Sequence, residues 1–146
     1  MGTLNLRLPE SELELLQEFC EMTERNQTDV IRSYIRSLEE KINPKRIKPA
    51  TITPYLLPSV PLSKWQMVQQ VSCVYFVMDD EEVIYIGNAQ NLYERMTGNH
   101  HKRASLLQEN PSARIHWIER IKSSRVDFEK KCIARFKPKY NVSPSS

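Results

Sequence analysis

Tyr75, Tyr85, Arg95, Glu129 and Asn141 are the residues of this chain whose types and order could perform chemistry. A phenol can take or give a proton, but with an ordinary pKa near 10 it needs a nearby cation to act at neutral pH. A guanidinium fork matches the oxygens of a phosphate in an in-line displacement. A carboxylate beside Phe128, Cys132 and Ile133 on a helix sits at the edge of an apolar stripe, where it would tend to protonate unless a cation paired with it. One carboxylate with several waters is a usual way to hold magnesium or manganese. Taken singly, each residue has a plain explanation: a strand tyrosine is core, a helix arginine is surface, and Glu129 beside Lys130 and Lys131 is solvated. As an ordered set they could build a site that cuts phosphodiesters.

Positioning these groups requires a small framework. Residues 73–78 and 83–87 read as strands joined by Asp79-Asp80-Glu81-Glu82. A turn centred on Asp80 pairs Tyr75 with Tyr85, leaving Val74, Phe76, Ile84 and Ile86 on one face and both tyrosines on the other. The spacing predicts a helix over about 89–97, with Leu92 and Met96 inward and Arg95 one position off the buried stripe. A polar loop carrying His100 and His101 comes next, then an alternating strand over Ile115–Ile118 and a helix over Val126–Phe136 with a Phe128, Cys132, Phe136 stripe. Upstream, residues 63–71 suggest a short helix presenting Trp65 and Val68. The expected architecture of this part is a small three-stranded antiparallel sheet flanked by helices, within an α+β chain.

The series Val74-Tyr75-Phe76, Ile84-Tyr85-Ile86-Gly87, Arg95, Glu129 and Lys137-Pro138-Lys139-Tyr140-Asn141 resembles the GIY-YIG nuclease family from about Val74 to Asn141. The resemblance implies that Tyr75 takes a proton from the attacking water and that Tyr85 and a histidine position water and phosphate. It implies that Arg95 holds the scissile phosphate, that Glu129 holds Mg2+ or Mn2+, and that Asn141 braces the site. The chain departs from the pattern at three places. Cys73 stands where the family's first glycine is, and Asn88 where many relatives have lysine. Asn99 occupies the place of a frequent histidine, with His100 and His101 one and two residues later, so either enters the site on equal terms.

The first forty residues show another pattern. Leu4, Leu6 and Leu8 alternate with Thr3, Asn5 and Arg7 as a two-faced strand that Pro9 ends. Ser11 suits an N-cap of a helix through about Thr23, Asn26 a left-handed stop, and Thr28 the cap of a second helix with Ile31, Tyr34, Ile35 and Leu38 on one stripe. So small a β-α-α unit buries little alone and calls for a partner. It resembles the ribbon-helix-helix, Arc-repressor-like family, which implies a homodimer whose paired strands enter the major groove of double-stranded DNA. That resemblance assigns Thr3, Asn5 and Arg7 to base reading and Thr28 to a phosphate contact at the start of the second helix, with Asp29 an awkward neighbour.

Composition bounds the rest. The 146 residues carry a net charge of +3, but residues 1–42 hold five basic and nine acidic side chains, while 43–146 hold sixteen and nine. The later, basic portion is the one suited to a polyanion. Five of nine prolines fall within 43–61, which marks a boundary. The expected organisation is a 1–42 binding and dimerisation unit, a basic proline-rich linker over 43–60, and a 61–146 nuclease domain. Lys45, Arg46 and Lys48 make the first half of the linker basic, while Tyr55, Leu56, Leu57, Val60 and Leu62 suit the second half for packing onto the nuclease domain. Three widely separated cysteines, Cys20, Cys73 and Cys132, read as small buried side chains. With no apolar run of membrane-spanning length and no signal-like start, no membrane partner is expected and the location is a cytoplasmic, nucleoid-associated one. The reading that unites these features is a metal-dependent DNA endonuclease targeted by a dimeric head. Its rivals are a non-catalytic repressor carrying a degenerate nuclease domain, and a structure-specific repair nuclease.

Overall fold

A computed structural model describes residues 2–42, 48–98 and 101–141, without the side chains of 39–41 and 101. Four antiparallel strands form one sheet: β1 (Ser59–Pro61), β2 (Cys73–Asp79), β3 (Glu82–Ala89) and β4 (Arg114–Glu119), in the order β1-β4-β2-β3. The helices are α1 (Glu10–Thr23), α2 (Gln27–Ile42), α3 (Leu92–Thr97), α4 (His101–Glu109) and α5 (Lys122–Phe136), with 3-10 turns at Pro54–Leu56 and Leu62–Met67. Among the described residues no helix is long and apolar enough to cross a membrane.

β2 is central and buried on both faces, which is why it reads as a continuous apolar run. Tyr75 and Val77 face a core with Leu62, Leu92, Met96, Leu106, Ile115 and Trp117. Val74, Phe76 and Met78 face a second core, where Ile86, Ile118 and the Phe128, Cys132, Phe136 stripe of α5 pack. All three cysteines are free and buried.

The hairpin register differs from the expected one. Tyr75 lies opposite Gly87, and Tyr85 opposite Val77. The loop is centred between Asp80 and Glu81, with Asp80 in the left-handed region at φ 53°, and this moves the pairing by one residue. A β-bulge between Val77 and Met78 moves it by one more. A single slip would have turned Tyr75 and Tyr85 onto opposite faces; two slips keep them together. The bulge also turns Ile84, which joins the Tyr75 core rather than the face of Val74, Phe76 and Ile86.

Other expectations shift locally. The carbonyl of Pro9 accepts from the amides of Glu12 and Leu13 at 3.0 Å, so Ser11 lies inside α1 rather than capping it. Glu24, at φ 56°, makes the left-handed stop. Asn26 instead caps α2, its Oδ1 accepting from the Asp29 amide at 2.7 Å, which puts Thr28 within the first turn. α5 begins at Lys122, four residues before Val126. The sheet has four strands rather than three, because Ser59–Pro61 pairs with β4 at an edge where proline is tolerated. The polar loop expected to carry the histidines gives way to α4 from His101 on, and in place of the helix expected over 63–71 there is a 3-10 turn at Leu62–Met67. Ile52 and Pro54 are buried and Leu57 packs on the second core, so the later linker lies against the sheet domain. Lys45 and Arg46 lie outside the described residues.

Thr3–Leu8, expected as a strand, pairs with no other strand among the described residues, and Leu4 and Leu6 are 72% and 59% exposed. A lone strand has no ladder to complete; a ribbon requires a second strand. The two N-terminal helices rest on the β1–β4 side of the sheet. Arg25 Nη1 donates to the Ser59 carbonyl and Arg114 Nη2 to the Thr23 carbonyl, each at 3.2 Å, and Phe19 packs against the first core.

Candidate active site

Tyr75 is held by geometry that explains Gly87. A Cβ on Gly87 would lie 2.5 Å from Cζ and the hydroxyl oxygen of Tyr75, so the ring needs glycine opposite it. The Tyr85 ring stands 6.2 Å from the Tyr75 ring, tilted by 45°, at the diagonal cross-strand position. Asn91 starts α3 by accepting from the Glu94 amide at 3.1 Å, and Leu92 and Met96 bury that helix against the core. One position off this stripe, exposed Arg95 hydrogen-bonds with Tyr75 and lies within the electrostatic reach of Tyr85 and Glu129.

Burial pushes the Tyr75 hydroxyl above the ordinary tyrosine range; neighbouring Tyr85 adds to this, and the Arg95 hydrogen bond opposes it. As described, Tyr75 is a proton donor at neutral pH, and more positive charge is required to make it a proton acceptor. Lys102 on α4 adds one cation to the neighbourhood, its Nζ 5.9 Å from the Tyr85 ring centre. The polar composition of α4, in which Leu106 is the one fully buried apolar residue, gave no signal for it.

Glu129 comes from α5, half-buried one position from the core residue Phe128. Its Oε2 accepts from Asn88 Nδ2 at 2.8 Å, and among the described residues it forms no ion pair. Asn88 Oδ1 in turn accepts from Arg125 Nε at 2.9 Å. Among the described residues no three His, Cys, Asp or Glu side chains gather as a metal cage. The donor set, one half-buried carboxylate with one oxygen already oriented, fits a hard divalent cation that keeps most of its waters. The structure does not reach the two histidines: His100 lies outside the described residues, as does the side chain of His101.

Asn141 acts on the backbone. Its Oδ1 accepts from the Ile86 amide at 2.7 Å and its Nδ2 donates to the Ile86 carbonyl at 2.8 Å, while the Tyr140 amide donates to the Ile84 carbonyl at 3.1 Å. The tail thereby covers the outer edge of β3, next to Tyr85. Cys73 is fully buried opposite Ala89 and Glu119, its thiol pushed far up by burial, so it packs the base of the strand. The structure thus brings Arg95 to Tyr75 with Tyr85 beside them, sets Glu129 within electrostatic reach of Arg95, and ties Asn141 to the backbone of Ile86 next to Tyr85. Thr3, Asn5, Arg7 and Thr28 are all exposed on the N-terminal unit.

Comparison with known proteins agrees with both halves. Residues 71–141 match the GIY-YIG catalytic domain family, and residues 3–41 match the ribbon-helix-helix protein, copG family. The chain is 31% identical over 81 residues to the UvrABC system protein C of Mycoplasma capricolum, a match covering 52% of this chain and 14% of that protein. It also resembles the GIY-YIG N-terminal endonuclease domain of UvrC from Thermotoga maritima in its magnesium-bound structure. There the identity is 24%, covering 55% of this chain and 93% of that one, with a TM-score of 0.47. A tyrosine-to-phenylalanine point mutant of the same domain, bound to its catalytic divalent cation, matches at 23% identity over 56% and 93% of the two chains, again with a TM-score of 0.47. The chain therefore joins a ribbon-helix-helix domain to a catalytic domain of the GIY-YIG endonuclease family.

Proposed function

We propose that this protein is a divalent-metal-dependent DNA endonuclease, brought to its site by a dimer of its N-terminal domains. The observation that carries the catalytic half is the Arg95–Tyr75 hydrogen bond, with Tyr85 and Glu129 in the same electrostatic neighbourhood. A guanidinium, two phenols and an acid that forms no ion pair among the described residues are the parts of a hydrolytic phosphodiester site.

In this reading the exposed Arg95 guanidinium grips the scissile phosphate and orients it for in-line attack. Tyr75 and Tyr85 hold the attacking water through their hydroxyls, and Tyr75 Oη takes its proton. Glu129 supplies the ligand oxygen for Mg2+ or Mn2+, which neutralises charge on the phosphate and the leaving oxygen when bound. A cation held at Glu129 would add to the charge of Arg95 and would lower the Tyr75 hydroxyl toward a range in which it can accept a proton. His100 or His101 serves as a further phosphate or proton contact. Asn141 keeps β3, and so Tyr85, in place through Ile86.

The binding half rests on exposure. Leu4, Leu6 and Leu15 offer apolar surface that a second copy would cover, and Thr3, Asn5 and Arg7 present polar groups suited to base edges. A repressor with a decayed nuclease domain would be poorly served by so complete a constellation. The deciding experiment is incubation of purified protein with supercoiled plasmid in magnesium and then in chelator. Nicked or linear DNA in magnesium alone is expected; intact plasmid under both conditions would reject the enzyme. Competing palindromic against random DNA separates site-directed from structure-directed cutting.

A further inference from the structure

Glu129 and Asn88 are the last two members of a chain of hydrogen-bonded side chains that begins at Ser72. Ser72 Oγ, just before β2, donates to the Arg120 carbonyl at 2.6 Å and accepts from Arg125 Nη1 at 2.8 Å. Arg125 Nε donates to Asn88 Oδ1 at 2.9 Å, and Asn88 Nδ2 donates to Glu129 Oε2 at 2.8 Å. All four residues are half-buried, and Arg125 and Glu129 stand one turn apart on α5.

Each link dictates the next. An asparagine amide is nearly symmetric in shape, so its surroundings decide which end faces where. Arginine has no acceptor, so only Oδ1 of Asn88 can meet the Arg125 Nε–H. That places the NH2 group against Glu129, where it can only donate to a carboxylate oxygen. Ser72 can meet the guanidinium only with its lone pairs, because its hydroxyl hydrogen is committed to the Arg120 carbonyl. Donation runs outward from Arg125 on both sides, through Ser72 to the Arg120 carbonyl and through Asn88 to the acid.

We infer that Arg125 is a positioning residue for the metal-binding carboxylate, acting through Asn88 to hold Glu129 in the orientation that receives a divalent cation. This rests on the reading of Glu129 as the metal ligand. Arg125 brings a positive group to the neighbourhood of Glu129, one side chain removed from the acid. An amide between two fixed partners holds a carboxylate without competing for the cation, whereas a cation in direct contact would weaken metal binding.

The test is calorimetric titration of Mn2+ into the full-length protein without DNA, on wild type, Glu129→Ala, Arg125→Leu, Asn88→Leu and the Arg125→Leu/Asn88→Leu double variant, with circular dichroism to verify folding. Residues that orient metal ligands typically change affinity by about 10- to 100-fold. Arg125→Leu and Asn88→Leu are each expected to weaken Mn2+ binding by about tenfold, and the double variant by no more than the worse single one, because both break one chain. Folded Arg125→Leu protein with wild-type Mn2+ affinity would overturn the inference, as would losses that multiply in the double variant. Undiminished Mn2+ binding by Glu129→Ala would instead remove the metal assignment itself. If Arg125→Leu does not fold, Ser72→Ala, which frees the guanidinium without cutting into the core, carries the same test with a smaller weakening expected and unchanged affinity counting against it.

Discussion

The two ends of this chain handle their apolar side chains in opposite ways. In the sheet domain β2 is buried on both faces, and residues 140–141 seal the free edge of β3. In the N-terminal unit Leu4, Leu6, Leu15, Tyr34 and Ile35 stand exposed, and its buried residues, Cys20, Thr23 and Ser33, lie toward the side where Arg25 and Arg114 meet the sheet. The contrast separates two physical tasks. A proposed site of two phenols, a guanidinium and an acid in fixed relation would need a frame completed within one chain. The recognition module proposed for the N-terminal unit could leave its core half-finished, because pairing with a second copy would both complete it and double the DNA contacts.

The largest effect should come from removing the acid. Glu129→Ala takes away the proposed metal ligand, so magnesium-dependent plasmid cutting is expected to fall by on the order of a thousandfold or more, in keeping with the several kcal/mol a metal supplies. DNA binding in gel-shift assays should change little, since the N-terminal unit is untouched. Leu6→Glu is the converse. A charge on the exposed apolar face should turn a dimer into a monomer in sedimentation and weaken binding to the specific site by about a hundredfold through lost bivalency. Magnesium-dependent nicking at high protein concentration should persist. If Leu6→Glu abolished both, the two regions would not be the separable units that the contrast implies.

Gly87→Ala sharpens the picture inside the sheet domain. The added methyl would meet the Tyr75 ring at 2.5 Å, so the ring or the strand must move. A displacement of about 1 Å at a catalytic group can cost roughly a hundredfold in rate. The expected outcome is a cleavage rate lower by about that factor, with thermal stability reduced by about 1–2 kcal/mol. Unchanged cleavage would mean that Tyr75 need not stay where the glycine lets it lie.

Much of this was legible from residues because the relevant signals are local or periodic. The apolar runs mark β2, β3 and β4, and the Phe128, Cys132, Phe136 stripe marks α5. Tyr75 and Tyr85 share a face as the alternation demands, yet their register was illegible, since nothing in Val77-Met78 announces a bulge. α4 escaped notice because Leu106 alone is fully buried on it, and β1 because Val60 stands between Ser59 and a proline. The caps moved because α1 already starts at the carbonyl of Pro9, which takes the amides of Glu12 and Leu13, and α2 at Asn26, whose side chain takes the amide of Asp29. Arg125 left no sequence signal, because its contact with Asn88 joins residues 37 apart in the chain.

The smallest expected effect lies where the two regions meet. His116 on β4 is buried beside the ring of Tyr55, with Arg114 from the sheet and Arg25 from the N-terminal unit both near it. Burial chiefly, then the charge of Arg114 and more weakly that of Arg25, pushes its pKa down to about 4, while backbone contacts with Leu57 and Pro54 oppose the shift. An unfolded chain would take up that proton near pH 6.5, so between about 6.5 and 4 the unfolded state binds more protons than the folded one. The stability contributed by the neutral ring is therefore complete above pH 6.5 and drains away as the pH falls toward 4. The loss should be about 2 kcal/mol, somewhat under the ceiling the shift would allow. Denaturant unfolding at pH 7.5, 5.5 and 4.5 on wild type and His116→Phe isolates it, because other titrating groups cancel in the difference. Wild type should lose stability relative to His116→Phe as the pH falls; a difference independent of pH would show that the imidazole is not held neutral there. Adding Arg25→Leu removes the charge that the N-terminal unit contributes and should make His116 easier to protonate. A smaller acid sensitivity in that background would show that the half-finished unit already presses electrostatically on the completed one.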